Sequence, residues 1–223
     1  MTWRVATDIG GTFTDLVLMD DKGEVRTGKV SSTPPDFQVG VLRLLAETGL
    51  QGMTQFIHGS TVVINALTER KGARTALLTT RGFRDVLEIG RANRPDLYNL
   101  AYRKPRPFVP RYLRFEVTER LDAQGRVLKV LVEDELEPVA EACRANGVKA
   151  LAICFLHAYR NSAHEVQAGA RLAQLLPGVS ITLSHQVTRE WREYERASSA
   201  VLNAYVQPVA ERYLGLLEEG LAR

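Results

Sequence analysis

The stretch from Arg4 to Asp20, RVATDIGGTFTDLVLMD, constrains the fold more than any other part of this sequence. On both sides of the pair Gly10-Gly11, β-branched and apolar residues alternate with small or polar ones, as is typical of strands. Glycine readily adopts the positive φ angles that tight hairpin turns require. The chain is therefore predicted to open with a β-hairpin that turns at the two glycines.

Polar residues flank this turn and point to a phosphate site. Asp8 precedes the glycines, and Thr12 and Thr14 follow them. Backbone N–H groups at a glycine-rich turn form an anion-binding concavity, and hydroxyl groups add donors beside it. Asp8 would repel a bare phosphate, so its natural partner is a Mg²⁺ ion bound to that phosphate. The alternative is a plain hairpin whose threonines are only good strand formers, and the residues alone leave both interpretations open.

The following residues predict an α/β fold. Glu24–Ser31 adds a third strand to an antiparallel meander, and a helix with apolar residues at helical spacing ends at Gly49. A strand, a helix and a strand then follow within a short distance, which predicts a βαβ unit and a change to parallel pairing. These three elements are expected at Gln55–His58, Thr61–Lys71 and Ala73–Thr79.

The junction between that strand and helix carries His58, Gly59, Ser60 and Thr61. The carboxyl end of a strand beside a helix N-terminus is the usual ligand crevice of an open α/β sheet and favours anions. The alternative assigns Ser60 to capping the helix and His58 to a buried, hydrogen-bonded position.

Residues 91–114 form a basic, proline-rich segment, which contains seven basic residues and a single acidic residue, Asp96. The prolines predict a loop. Such a loop could clamp a carboxylate substrate, dock an acidic partner surface, or simply be solvated. Because the segment lacks a spaced aromatic platform beside its arginines, nucleic-acid binding is not expected.

The remaining residues predict a second α/β lobe and a helical end. Residues 115–184 alternate between strand and helix patterns, with a hairpin about residues 122–125. Ser162 and Glu165 have the spacing of a capping box, which gives Glu165 a structural role. From Thr188 the charged residues up to Arg196 are expected to form a solvated, ion-paired helix face, and Pro208 to break or kink the helix.

The composition narrows the class of protein further. A net charge of +3 is too small to indicate nucleic-acid binding by itself. Cys143 and Cys154 lie in apolar runs, which predicts reduced thiols in a core and, by default, a cytoplasmic location. No Cys/His spacing suggests zinc, and no apolar run reaches membrane-spanning length.

Five stretches together resemble the hydantoinase A / 5-oxoprolinase family, which includes N-methylhydantoinase and acetone carboxylase subunits. They are DIGGTFTD, HGSTVVINALTERKGARTALLTTRGFRDVLEIGRANRPDLYNL, ERLDAQGRVL, AICFLHAYRNSAHE and REYERASSAVLNAYVQP. The first resembles the phosphate loop of the actin-like ATPase superfamily. The resemblance implies an actin-like ATPase (ribonuclease H-like) half-domain in which an antiparallel meander leads into a parallel sheet. Members commonly carry HGTT where this chain has HGST, so Ser60 keeps the hydroxyl.

The resemblance also implies a set of site residues. ATP phosphates would be held by Gly10, Gly11, Thr12 and Thr14, and Mg²⁺ by Asp8; Asp8 and His58 are the expected catalytic residues. The expected substrate-side residues are Thr61, Arg91, Asn93, Arg94, Asp96 and Tyr98. The expected regions are a phosphate-binding part (1–90), the basic loop (91–114), the second lobe (115–187) and a helical segment (188–223).

The implied activity is ATP-dependent hydrolysis of a cyclic amide such as 5-oxoproline or a hydantoin. A second phosphate hairpin and a glycine-rich adenosine site are expected of the superfamily, yet Gly10-Gly11 is the sequence's only Gly-Gly pair. We therefore expect an N-terminal part of a longer protein that works with a missing second half and a hydantoinase B-type subunit. The alternatives are an ATP-dependent ketone carboxylase subunit and a non-catalytic nucleotide-binding or assembly module.

Overall fold

The computed structural model describes residues 2–50 and 52–222 and divides into two compact units. Unit 1 comprises residues 1–71 and 209–223, and unit 2 comprises residues 72–208. The strands are β1 (Trp3–Ile9), β2 (Phe13–Asp20), β3 (Val25–Ser31), β4 (Met53–Ser60), β5 (Thr75–Thr80), β6 (Arg114–Val117), β7 (Arg120–Leu121), β8 (Val127–Lys129), β9 (Ala150–Cys154) and β10 (Ser180–Leu183). The α-helices are α1 (Gln38–Thr48), α2 (Val62–Thr68), α3 (Val86–Ile89), α4 (Leu136–Ala145), α5 (Ala163–Leu175), α6 (Ser184–Val187) and α7 (Glu193–Leu221).

Unit 1 is built on a sheet with the strand order β3-β2-β1-β4. The predicted meander is present, because β1 pairs antiparallel with β2, and β2 pairs antiparallel with β3. The other edge of β1 pairs in parallel with β4. Alternate residues of β1 are buried, as the period of a half-buried strand requires. An antiparallel meander thus leads into parallel pairing, as the resemblance implied.

The core of unit 1 is completed by helices. Leu44 of α1 packs with Val5 and Leu16 of the sheet. Tyr213 and Leu217, near the end of α7, belong to another buried cluster together with Ile9, Val41 and Val62. Helix α1 ends at Thr48 and is capped by Gly49, which has a left-handed φ of 62° and donates its N–H to the Ala46 carbonyl oxygen. Residues far apart in sequence therefore share one core.

Unit 2 is built on a parallel sheet with the strand order β10-β9-β5-β6. Every residue of β5 and of β9 is buried, which is the pattern of central strands covered on both faces. Helices α4 and α5 contribute Leu136, Cys143 and Leu172 to the core of this unit. The small β7–β8 hairpin is a separate antiparallel pair.

The predicted βαβ unit is wrong in its pairing. Strands β4 and β5 flank α2 in sequence, but β4 pairs with β1 in unit 1 whereas β5 pairs with β6 and β9 in unit 2. The helix also ends earlier than Lys71, because α2 stops at Thr68. All six residues of strand β5 are buried, as its central position in its own sheet requires.

Two further expectations need correction. The predicted capping box is absent, because Ser162 makes no side-chain capping bond, and Glu165 is fully buried. Arg196 does not lie on a solvated helix face, because it is also fully buried. Helix α7 begins at Glu193 and continues through Pro208, so of the two effects expected of the proline, a break is absent. The division between the two compact units falls after Lys71, and the four regions expected from the sequence stay a prediction.

We predict that Gly72→Ala strongly destabilises the protein. A Cβ atom at residue 72 would lie 2.2 Å from the Tyr205 ring and 2.5 Å from the Tyr205 carbonyl oxygen, so backbone must shift. Overpacking of this kind costs about 1–3 kcal/mol. The measurement is the midpoint of urea unfolding.

The matched control is Gly215→Ala in α7, where a new Cβ would meet nothing within 4 Å. This variant should keep or raise the unfolding midpoint, because alanine favours helix by about 1 kcal/mol over glycine. Equal midpoints for the two variants would contradict the packing of Gly72 against Tyr205.

Candidate functional site

The glycine turn (residues 10–12) joins β1 and β2 and is braced from the end of β3. The Gly10 N–H donates to the Phe13 carbonyl oxygen at 2.9 Å, which closes the turn. Ser32 donates its hydroxyl to the Gly10 carbonyl oxygen at 2.8 Å and its N–H to the Thr12 carbonyl oxygen at 2.8 Å. Gly11 and Thr12 are exposed. The turn is therefore fixed on its inner side and open to solvent at its tip.

Both glycines keep the space beside the turn free of side chains. A Cβ atom on Gly10 would lie 3.3 Å from the Phe13 carbonyl oxygen, and one on Gly11 would lie 3.3 Å from Asn65 Nδ2. Both distances are tighter than ordinary van der Waals contact. Side chains at these positions would crowd the space where a phosphate would meet backbone N–H groups.

Asp8 lies beside the turn and is exposed. It stands opposite Asp15 across the hairpin and opposite Gly59 on β4. Its Oδ1 is 3.1 Å from the position that a Cβ on Gly59 would occupy, so the glycine leaves room for the carboxylate. Asp15 is paired with Lys29 at 3.0 Å. Like charges opposite each other are unfavourable, and a cation beside Asp8 would relieve this repulsion.

Thr14 does not lie on the exposed side of the turn. Its side chain is fully buried, and its hydroxyl is 3.2 Å from the Ser32 hydroxyl. Direct contact between Thr14 and a phosphate does not fit this burial, because the alternation of β2 turns the residue into the core. In this position Thr14 holds Ser32, which in turn braces the glycine turn.

The start of α2 is tied to the end of β1. Thr61 donates both its N–H and its hydroxyl to the Ile9 carbonyl oxygen, at 2.9 and 3.1 Å. Asn65 Nδ2 donates to Thr61 Oγ1 at 3.2 Å and stands beside Gly11. Asn65 was not identified from the sequence. Its position one helical turn after Thr61 could have indicated that the two side chains are neighbours. Ser60 Oγ accepts the Val62 N–H at 3.2 Å, which supports a capping role.

His58 bridges two elements of unit 1. Its Nδ1 is 2.7 Å from Thr7 Oγ1 on β1, and its Nε2 is hydrogen-bonded to the Tyr213 hydroxyl of α7. Burial lowers the pKa of His58, and the nearby Asp8 carboxylate opposes this shift only in part. Burial also raises the pKa of Tyr213 to about 12. The arrangement favours a neutral imidazole held between two hydroxyl groups.

Five of the six substrate-side candidates lie in an exposed segment of unit 2, whereas Thr61 lies in unit 1. Arg91 pairs with Glu195 at 2.6 Å, and Arg94 donates to the Asn99 carbonyl oxygen at 2.5 Å. Asn93, Asp96 and Tyr98 are exposed. The structure thus separates these residues into a different unit from the glycine turn, and their role stays a prediction.

The positive charge of the basic loop is partly neutralised within unit 2. Arg111 makes two hydrogen bonds to Asp85, at 2.8 and 2.9 Å, and this pairing lowers the pKa of Asp85. Arg114 is buried and donates to Glu88 at 3.0 Å. Asp85 and Glu88 precede the loop in sequence. A count of charges within residues 91–114 alone therefore overstated the local excess of positive charge.

The glycine turn and the two sheets define an α/β protein with an actin-like ATPase type of fold, as expected. Residues 4–176 match the family described as hydantoinase/oxoprolinase N-terminal region. The chain belongs to this family, which confirms the resemblance seen in its motifs. Across residues 2–50 and 52–222, no helix combines the length and apolar character that a membrane crossing requires.

The relatives include a subunit of a caprolactamase and a subunit of a carboxylase. The chain is 35% identical over 224 residues to the alpha subunit of caprolactamase from Pseudomonas jessenii, covering 95% of this chain and 32% of that protein. It is 32% identical over 231 residues to the gamma subunit of acetophenone carboxylase from Aromatoleum aromaticum, covering 93% of this chain and 31% of that protein. The chain therefore spans about one third of the length of these relatives.

Two solved structures resemble the chain over nearly its whole length. The crystal structure of ATP-dependent caprolactamase from Pseudomonas jessenii has a TM-score of 0.85 at 35% identity, covering 97% of this chain and 34% of that chain. A nucleotide-free acetone carboxylase structure has a TM-score of 0.84 at 23% identity, covering 98% of this chain and 34% of that chain. The second comparison supports the fold alone.

We predict that His58 makes the protein less stable as the pH falls through the mildly acidic range. Because its pKa is lowered on folding from the ordinary value of 6.5, the unfolded chain binds more protons below that pH. The free energy of unfolding should therefore decrease as the pH is lowered from 7 to 5, and the slope should be shallower in His58→Asn. Urea unfolding at a series of pH values measures both slopes.

The matched control is His157→Asn, which removes the imidazole from unit 2 at a position whose φ of 56° asparagine tolerates. It should leave the pH slope contributed by His58 in place. A slope that is unchanged in His58→Asn would contradict the assignment.

Proposed function

We propose that the chain is the N-terminal part of an ATP-dependent hydantoinase/5-oxoprolinase-type cyclic amide hydrolase. The observation that carries the proposal is the braced, solvent-open glycine turn with the exposed carboxylate of Asp8 beside it. The family description and the caprolactamase relative support both the cyclic amide and the use of ATP.

The residues of the turn fit a nucleotide phosphate with its metal. Gly11 and Thr12 would offer backbone N–H groups at the open tip, and Gly10 would allow close approach. Asp8 would position Mg²⁺, which prefers carboxylate oxygens and retains several waters. Thr14, being buried, would support the turn from behind through Ser32.

The chemistry proposed for ATP is phosphorylation of the carbonyl oxygen of the cyclic amide, so that water can open the ring. The part of this chain is to position and neutralise charge, which is the main requirement of phosphoryl transfer. His58, held neutral between Thr7 and Tyr213, can accept or donate a proton at a ring nitrogen if one of these bonds opens.

The remainder of the site is proposed to come from outside this chain. The relatives are about three times as long, and two of them are named as subunits. A C-terminal half and a hydantoinase B-type subunit are the proposed partners, and Thr61, Arg91, Asn93, Arg94, Asp96 and Tyr98 are the proposed substrate-side residues. The proposed location is the cytoplasm.

A ketone carboxylase subunit is the second candidate, favoured by the acetophenone carboxylase relative. The two activities differ in the co-substrate that stimulates ATP hydrolysis. In the complete enzyme, a lactam or hydantoin alone would stimulate a cyclic amide hydrolase. A carboxylase would require a ketone together with bicarbonate.

We predict that Asp8→Asn lowers Mg²⁺- and ATP-dependent turnover of the complete enzyme by a factor of about 10² or more, because a metal-positioning charge is lost. The fold should be unchanged, since Asp8 is exposed. The control is Asp21→Asn, in the turn that follows β2, which should retain full turnover. Equal turnover in the two variants would remove Asp8 from the site.

We also predict that Gly11→Val abolishes nucleotide binding by the complete enzyme, measured by titration with an ATP analogue. The new side chain would crowd both the phosphate and Asn65 Nδ2, which lies 3.3 Å from the Cβ position. The double variant Gly11→Val/Asn65→Ala relieves only the second clash. If binding returned in the double variant, the turn would not cradle the phosphate.

A further inference from the structure

The side-chain amide of Asn65 lies at the open tip of the glycine turn. A Cβ atom on Gly11 would lie 3.3 Å from Asn65 Nδ2. Apart from the turn itself, no other atom of the described residues lies within 4 Å of that position. Gly11 is exposed and Asn65 is half-buried. The space beside Gly11 therefore holds nothing but this amide and is open to solvent.

Thr61 determines which end of the Asn65 amide faces the turn. The Thr61 hydroxyl donates its only proton to the Ile9 carbonyl oxygen at 3.1 Å, so towards Asn65 its oxygen acts as an acceptor. Asn65 Nδ2 donates to that oxygen at 3.2 Å, and this bond distinguishes the NH₂ end of the amide from its carbonyl end. The bond uses one of the two N–H groups of Nδ2, which leaves the second for a ligand.

The amide is held in position by the same strand end that carries the turn. Asn65 lies in the first turn of α2, and its backbone N–H donates to the Thr61 carbonyl oxygen at 2.8 Å. Thr61 is tied to Ile9, the last residue of β1, by two hydrogen bonds. Because the donor is fixed in advance, a ligand that uses it loses little affinity to ordering of the site.

Asn65 and Asp8 approach the turn from opposite faces of the sheet. Successive residues of β1 point to opposite faces, so the exposed Asp8 lies on one face and the buried Ile9 on the other. Val62 of α2 packs with Ile9, which places α2 on the face away from Asp8. The amide is therefore separate from the carboxylate that is proposed to position Mg²⁺, and the two groups do not compete for one place.

We propose that Asn65 is a phosphate-binding residue, which donates an Nδ2 hydrogen to an oxygen of the nucleotide phosphate at the glycine turn. This inference rests on the proposed function, because it takes the ligand of the turn to be a phosphate. A Cβ position is one bond length from its Cα, so an oxygen atom in contact with the Gly11 backbone lies within reach of the amide. Hydrogen bonds to charged acceptors are stronger than those between neutral groups.

The experiment measures the Kd of the complete enzyme for a non-hydrolysable ATP analogue. Asn65→Leu keeps the approximate size of the side chain but removes the donor, and it should raise the Kd about tenfold or more. Asn65→Asp replaces the donor with a negative charge, so it should raise the Kd further, by a factor that shrinks at high salt. The matched control is Ile64→Asp, which adds the same charge at an exposed neighbouring position of α2 and should leave the Kd within about twofold of the parent value.

A role of Asn65 in bracing α2 alone makes a different prediction. Both Asn65 variants lose the donation to Thr61, so a purely structural defect would weaken binding equally in the two, with no added effect of the charge. The proposal is overturned if Asn65→Asp binds the analogue as tightly as Asn65→Leu, or as tightly as Ile64→Asp. The comparison with Ile64→Asp decides the question even if Asn65→Leu fails to fold.

Gly11→Val, measured in the same titration, separates this inference from the proposed function. If Gly11→Val abolishes binding while the Asn65 variants bind as the parent does, the role of Asn65 is overturned and the proposed function stands. If Gly11→Val also binds as the parent does, the turn does not hold a phosphate and both fail. Loss of binding in Gly11→Val, together with a Kd that rises from parent to Asn65→Leu to Asn65→Asp, supports both.

Discussion

The central constraint on unit 1 is the double pairing of β1. One edge of this strand pairs antiparallel with β2 and the other pairs in parallel with β4. The first pairing demands a tight turn at the carboxyl end of β1, and the second brings the carboxyl end of β4 and the start of α2 to the same place. The glycine turn, Asp8, His58 and Thr61 therefore converge at one end of the sheet.

Unit 2 depends on a different kind of interaction, a buried ion pair with its hydrogen bonds. Glu165 and Arg196 are both fully buried and share Ser184 and Phe155 as partners. Removing one charge of such a pair typically costs about 3–5 kcal/mol, because the other remains without compensation. The pair links α5, α7 and the residue that follows β9, Phe155.

Much of this architecture was predictable from local pattern. The alternation in residues 4–20 gave the hairpin, the glycine at residue 49 marked the end of α1, and the continuous apolar run of β9 indicated a strand covered on both faces. The pairing of β5 was not predictable in this way, because a βαβ pattern in sequence does not say which sheet its second strand joins. The motifs and the family match agreed because both rest on long, ordered stretches.

In the candidate site, too, local features were predictable from the sequence and long-range contacts were not. Asp8 and the two glycines lie where the pattern placed them, since a turn and its neighbours are local features. Thr14 is buried because strand alternation governs it, and Asn65 was missed because its neighbour Gly11 is distant in sequence. Glu165 was expected in a capping box and Arg196 on a solvated helix face, because charged side chains are seldom fully buried and nothing local reveals a long-range partner.

Helix α7 has a consequence for the order of folding during synthesis. Its first part belongs to unit 2, whereas Tyr213 and Leu217 fill the core around Ile9 in unit 1. Residues of unit 1 therefore leave the ribosome first, yet their core lacks these side chains until the whole of unit 2 has been translated. Unit 1 is thus the first to be synthesised and the last to be completed. Until then its β-sheet exposes apolar surface to chaperones or to neighbouring chains.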